Sequence, residues 1–185
     1  VAVSGDGRLY VSDTQNHRIE TFNSMAEFES DFGRHGAGEG HFSQPEGVAM
    51  AIGPTGRLYV ADRYNNRVQV FDPQGGFLFA FGHAGTGKGE FKQPSGLTVD
   101  GTGRVYVSDT LNDRVQVFDG NGTFLFAGTG TGFAAPTPAA PTGTEASKLA
   151  VGDFDVDGID DLVCFPSPTF TWFRGGAGGL TFAGT

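Results

Sequence analysis

The chain has 185 residues, 31 of them glycine and 18 phenylalanine, and a formal charge of −9. So much glycine without a G-X-Y period excludes collagen and works against long helices, whereas the Val, Phe and Tyr content suits short strands joined by tight turns. Acidic residues outnumber basic ones both in 1–128 (15 to 10) and in 129–185 (6 to 2), which disfavours nucleic acid and anionic membrane surfaces, since both need Lys and Arg against phosphate.

In chain order, three segments align: GRLYVSDTQNHRIETF (7–22), GRLYVADRYNNRVQVF (56–71) and GRVYVSDTLNDRVQVF (103–118). Asp13, Asp62 and Asp109 correspond, at spacings of 49 and 47 residues. Matching connectors precede the second and third copies, GAGEGHFSQPEGVAM (36–50) and GTGKGEFKQPSGLTV (85–99). Each unit reads as four short strands. The first is Gly47–Met50 or Gly96–Val99, with Val1–Val3 as a partial counterpart. The second is Leu9–Ser12, Leu58–Ala61 or Val105–Ser108, and the third Arg18–Phe22, Arg67–Phe71 or Arg114–Phe118. The fourth and most weakly marked is Glu27–Phe32, Phe77–Phe81 or Phe124–Ala127. Asp72-Pro73 and Asn121-Gly122 mark turns. Because Val1–Val3 already reads as a strand within a repeat, the chain is expected to be a processed or incomplete piece.

Four strands in roughly 45 residues is the size of one blade of a β-propeller, and such a sheet needs neighbours to cover both of its faces. The expected fold class is therefore all-β, with propeller-type repeats of four-stranded antiparallel sheets. The pattern D-x-x-N-x-R (Asp13, Asn16, Arg18; Asp62, Asn65, Arg67; Asp109, Asn112, Arg114) falls on the turn between second and third strands. Asn tolerates left-handed turn geometry and Asp can pair with Arg across the hairpin, a structural role; the alternative is a polar binding ring on one end of the propeller. The run Gln-Pro-Glu-Gly-Val-Ala (44–49), followed by Gly-Arg-Leu-Tyr-Val-Ala-Asp and Asn-Arg-Val-Gln-Val-Phe, resembles NHL repeats over residues 1–128. That resemblance implies blades of a mostly six-bladed propeller. Three copies would leave the ring open, to be closed by further blades or by other chains.

Residues 129–147, rich in Gly, Ala, Pro and Thr, read as a linker, and its Thr-Pro density would also suit O-glycosylation. Asn121-Gly122-Thr123 fits the N-glycosylation pattern but is already explained as a turn. In 153–162, DFDVDGIDDL, carboxylates at alternating positions would repel unless a hard divalent cation gathered them. Calcium fits, with Asp153, Asp155, Asp157 and Asp161 supplying side chains, Ile159 its carbonyl, and Gly158 the sharp turn. Asp160 points the other way. The twelfth position is Cys164 rather than Glu and the flanks Lys148–Val151 and Leu162–Phe165 are strand-like, which argues against an EF-hand. With the preceding Leu-Ala-Val-Gly and the later Trp172-Phe173-Arg174-Gly175-Gly176, residues 148–185 resemble one FG-GAP/VCBS repeat, the calcium-loop blade of integrin-like propellers.

A single cysteine permits no intrachain disulfide, and no apolar run is long enough to cross a bilayer. His17 stands where Asn66 and Asp113 stand in the other copies, so it reads as surface variation; His35, His41 and His83 lie in connectors that could line a channel mouth. Gly85-Thr86-Gly87-Lys88-Gly89 lacks the full phosphate-loop spacing, and its counterpart has Glu39 for Lys88. The reading reached is a non-enzymatic extracellular or cell-surface scaffold, in which blades mediate protein interaction or self-assembly and calcium stiffens the terminal module. Its expected partners are other protein chains, in a homo-oligomer or an assembly that completes the propeller. The rivals are a propeller lyase or hydrolase with a channel metal, and an RNA-binding propeller, which the charge disfavours.

Overall fold

The structure, a computed structural model, describes residues 1–128 and the segments 148–152, 161–165, 171–174 and 181–184. The first sheet runs β1 (Ala2–Val3), β2 (Leu9–Asp13), β3 (Arg18–Phe22) and β4 (Phe28–Phe32), each antiparallel to the next. The second runs β5 (Pro45–Ile52), β6 (Leu58–Asp62), β7 (Arg67–Phe71) and β8 (Phe77–Phe81). A short parallel pair, β9 (His83–Ala84) and β10 (Glu90–Phe91), lies in the connector that follows. The third sheet runs β11 (Pro94–Val99), β12 (Val105–Asp109), β13 (Arg114–Phe118) and β14 (Phe124–Gly128). The fourth runs β15 (Lys148–Gly152), β16 (Asp161–Phe165), β17 (Thr171–Arg174) and β18 (Thr181–Gly184).

The leading strands of successive sheets lie side by side: β1 by β5, β5 by β11, β11 by β15. The sheets therefore radiate from a common axis as blades. The inner strands are longer than the sequence pattern suggested, starting at Pro45 and Pro94, because their N-terminal ends pair past a bulge with Asp62 and Asp109. Each connector folds back on itself, as the His35–Phe42 bridge and as β9–β10.

The core lies between blades, not within them. Ala2, Tyr10 and Ile19 of the first blade and Phe42 of its connector pack against Leu58, Val60 and Phe71 of the second. The alternate residues Tyr59, Ala61, Val68 and Val70 turn the other way, onto Phe91, Val105, Val107 and Phe118. Strand periodicity of two thus puts apolar residues on both faces of the middle blade, and each face is covered by a neighbour. Phe71 touches the rings of Phe32, Phe42 and Phe77 at 5.1, 5.5 and 6.0 Å. Burying such a ring stabilises by about 1.5–3 kcal/mol. Gly33 and Gly82 let the connector start: at φ +93 and +84, a Cβ would sit 2.5 and 2.3 Å from the rings of Phe42 and Phe91.

Candidate functional site

The polar residues that recur in every copy gather at the end of each blade where the second and third strands turn. That turn is one 3-10 turn (Thr14–Asn16, Arg63–Asn65, Thr110–Asn112), closed by His17, Asn66 or Asp113 in the left-handed region at φ 58, 54 and 51. In the second blade Asp62 is fully buried. One oxygen, Oδ2, accepts from Asn65 Nδ2 (2.8 Å), Arg67 Nε (2.9 Å) and Gln69 Nε2 (3.0 Å), and Oδ1 accepts from the Ser43 N–H at 2.8 Å.

These residues also grip the preceding connector by its backbone. Asn65 donates to the Gly36 carbonyl (2.8 Å), Arg67 Nη2 to those of Gly38 (2.6 Å) and His41 (3.0 Å), and Gln69 Nε2 to His41 (2.7 Å). Gln69 Oε1 in turn accepts from the Gly40 N–H at 3.0 Å. The third blade repeats the set. Asp109 accepts from the Lys92 N–H, Asn112, Arg114 and Gln116. Asn112, Arg114 and Gln116 hold the carbonyls of Gly85, Gly87 and Glu90, and Gln116 accepts from Gly89. The Asp–Arg pairing expected from the sequence is present at 2.9 and 2.7 Å. The sequence pattern stopped at Arg, but the set includes a Gln two residues further on.

At the opposite end, the first and second blades each reach forward to the next. Tyr10 O–H and Arg8 Nη1 donate to the Pro73 carbonyl at 2.8 and 3.2 Å, and Tyr59 O–H and Arg57 Nη1 to that of Gly120 at 2.9 and 3.1 Å. In the third blade the equivalent Tyr106 instead donates to the buried Asp100 within its own blade, at 3.0 Å. Burial raises the Tyr59 hydroxyl above its ordinary pKa, and burial with the adjacent Asp100 charge raises that of Tyr106 further.

His17 is not surface variation. Its Nδ1 accepts from the Gln44 N–H at 3.0 Å, as Asn66 Oδ1 accepts from the Gln93 N–H at 2.9 Å, so this turn position ties the first blade to the second and the second to the third. The histidine rings fall into separate pairings: His17 against His35 at 4.5 Å, His41 hydrogen-bonded by Arg34, and His83 beside Glu90 at 3.4 Å. Among the described residues, no group of three His, Cys, Asp or Glu could hold a metal ion. The residues expected to bind calcium, Asp153, Asp155, Asp157 and Ile159, lie outside the described residues, as does the 129–147 linker. Asp161 opens β16, paired in register with Gly152, so antiparallel strands flank the loop.

A family model described as a 6-bladed beta-propeller (DUF5128) matches residues 48–126. No curated protein matches the chain. Among solved structures, Kuenenia stuttgartiensis hydrazine synthase is 16% identical at a TM-score of 0.65, over 99% of this chain and 48% of its own. Virginiamycin B lyase from Staphylococcus aureus is 14% identical at 0.65, over 99% and 54%. A structure titled as a nidogen/laminin complex is 18% identical at 0.65, over 93% and 57%. The chain thus spans about half the length of the solved structures it matches. Radial sheets, cores seated between them and these likenesses agree: the chain is an all-β protein of β-propeller blades, each a four-stranded antiparallel sheet.

Proposed function

We propose that this protein is a non-enzymatic, extracellular or cell-surface scaffold whose blades mediate protein interaction or assembly, with a structural calcium ion held in the 153–161 loop. One observation carries the reading. In the second and third blades the recurring Asp, Asn, Arg and Gln side chains, the most conspicuous polar constellation among the described residues, are engaged with one another and with connector backbone. That use stiffens the blades and suits a rigid platform.

The fold likeness to a nidogen/laminin complex is compatible with a protein-binding propeller. The alternating carboxylates around Gly158 support calcium, with Asp153, Asp155, Asp157 and Asp161 as side-chain ligands and Ile159 through its carbonyl. Millimolar extracellular calcium would keep even a modest site of this kind filled. The NHL-like and FG-GAP/VCBS-like sequence patterns support the same location. The rival, a lyase or hydrolase with a channel metal, draws on the likeness to virginiamycin B lyase, a likeness of fold.

Mass in solution by sedimentation velocity, with calcium and with chelator, tests the proposal. Association that weakens on chelation, and weakens likewise in the Asp155→Asn/Asp157→Asn variant, is the expected result. A calcium-insensitive monomer that binds no calcium in calorimetry overturns both the assembly and the metal.

A further inference from the structure

The three blades do not present the same leading face. In the second blade that face carries Leu58, Val60, Asp62, Gln69 and Phe71, all fully buried by the first blade and its connector. The matching residues of the first blade are Leu9, Val11, Asp13, Glu20 and Phe22, only partly buried, and Phe28 is 57% exposed. Two positions change chemistry. Gln69 and Gln116 are replaced by Glu20, and Ala80 and Ala127, which lie opposite those glutamines in register, are replaced by Asp31.

The consequence is electrostatic. Arg18, whose counterparts hold connector carbonyls, is drawn into its own sheet, with Nε on Asp13 (2.9 Å), Nη2 on Glu20 (2.6 Å) and Nη1 on Asp31 (2.8 Å). Three carboxylates share one guanidinium. A Gly-rich connector docked here as on the other blades would meet a carboxylate where Gln69 Nε2 donates to the His41 carbonyl, and would find Arg18 already engaged. Oxygen would face oxygen, and covering the face would desolvate unmatched negative charge.

We infer that the leading face of the first blade docks a protein segment bearing a Lys or Arg side chain, which lies against the outer oxygens of the Glu20 and Asp31 carboxylates that share Arg18, while apolar residues cover Leu9, Val11, Phe22 and Phe28. Two features of the molecule support that occupant. The same face in the next two blades is an interface, so its apolar strip has the shape a neighbour packs on. The charge left over is negative, which selects a cation-bearing neighbour over the carbonyl-bearing connectors used elsewhere. The inference deepens the scaffold reading and rests on it.

The test uses the full chain and two labelled peptides read by fluorescence anisotropy. One is residues 33–44, the connector that fills the second blade's clamp; the other is the same peptide with Glu39→Lys and His41→Lys. The lysine peptide should bind about tenfold more tightly, consistent with two partly exposed ion pairs, and added salt should erode the difference. The Glu20→Gln/Asp31→Ala variant gives the first blade the side chains its neighbours already carry, so it is expected to fold, and it should lose the preference. Equal affinities, no binding of either peptide at about 1 mM, or a preference that survives in the variant would overturn the inference. Self-association abolished by that same variant would overturn it too, by assigning the face to a second copy. If the preference is absent while calcium-sensitive association persists, this inference alone falls; a calcium-insensitive monomer removes the scaffold reading itself.

Discussion

Replacing Asp109 by Ala should be among the most damaging single changes in the chain, and the structure says why. The carboxylate is fully buried and takes hydrogen bonds from the Lys92 N–H (2.7 Å), Asn112 (2.9 Å), Arg114 Nε (2.7 Å) and Gln116 (3.0 Å). Its removal leaves the Arg114 guanidinium, only 15% exposed, without its counter-charge, and frees the side chains that hold the connector carbonyls. Breaking a buried pair from one side costs about 3–5 kcal/mol. The control is Asp13→Ala. Asp13 keeps the Asn and Arg partners, but its side chain is 22% exposed and its set grips no connector among the described residues, so the loss should be far smaller. Urea unfolding followed by far-UV circular dichroism measures both, and Asp109→Asn, which keeps the shape but turns an amide N–H₂ toward other donors, should fall between them. Equal losses for Asp13→Ala and Asp109→Ala would refute the claim that gripping the connector is what makes this carboxylate matter.

Phe71→Ala removes a fully buried ring between two blades and should cost about 3–5 kcal/mol, whereas Phe28→Ala, at a 57%-exposed ring, should cost little; the same unfolding assay separates them. Asp119 is held below the ordinary carboxylate range by the N–H groups of Thr123 and Asn121, and Asp13 by Asn16 and Arg18. A folded pKa below the unfolded one gives stability that is complete above the ordinary range and is lost as pH falls, so the Tm should drop on acidification below about pH 4. Tyr59 and Tyr106 have the opposite sign: above about pH 10 the unfolded chain ionises where the folded one resists, so stability falls as pH rises. Calorimetric Tm against pH, with tyrosinate absorbance, checks both limbs; a Tm that rises on acidification would contradict the first.

Much of the architecture was legible without coordinates. Three aligned copies, four strands each and turn residues at fixed offsets specify a blade, because period-two apolar alternation on both faces cannot be satisfied by an isolated sheet. A calcium loop is an expectation from carboxylate spacing alone: Asp153, Asp155, Asp157 and Ile159 lie outside the described residues, and Asp161 opens β16. What the copies hid was direction. The pattern Asp-x-x-Asn-x-Arg looked like a hairpin pairing with itself, and only the packing showed it holding Gly36, Gly38 and His41, or Gly85, Gly87 and Glu90. Those targets are backbone carbonyls, which every residue carries, so no side-chain signature announces them. His17 was misjudged for the same reason: His and Asn share no obvious chemistry in a sequence, yet both offer an acceptor to a backbone N–H at the blade junction. The replacement of Gln by Glu20 and of Ala by Asp31 was visible in the alignment but silent, because only register places the two on one face around Arg18. Local pattern determined the blade; the tertiary structure decided which neighbour each face meets, since that depends on contacts between residues far apart in the chain.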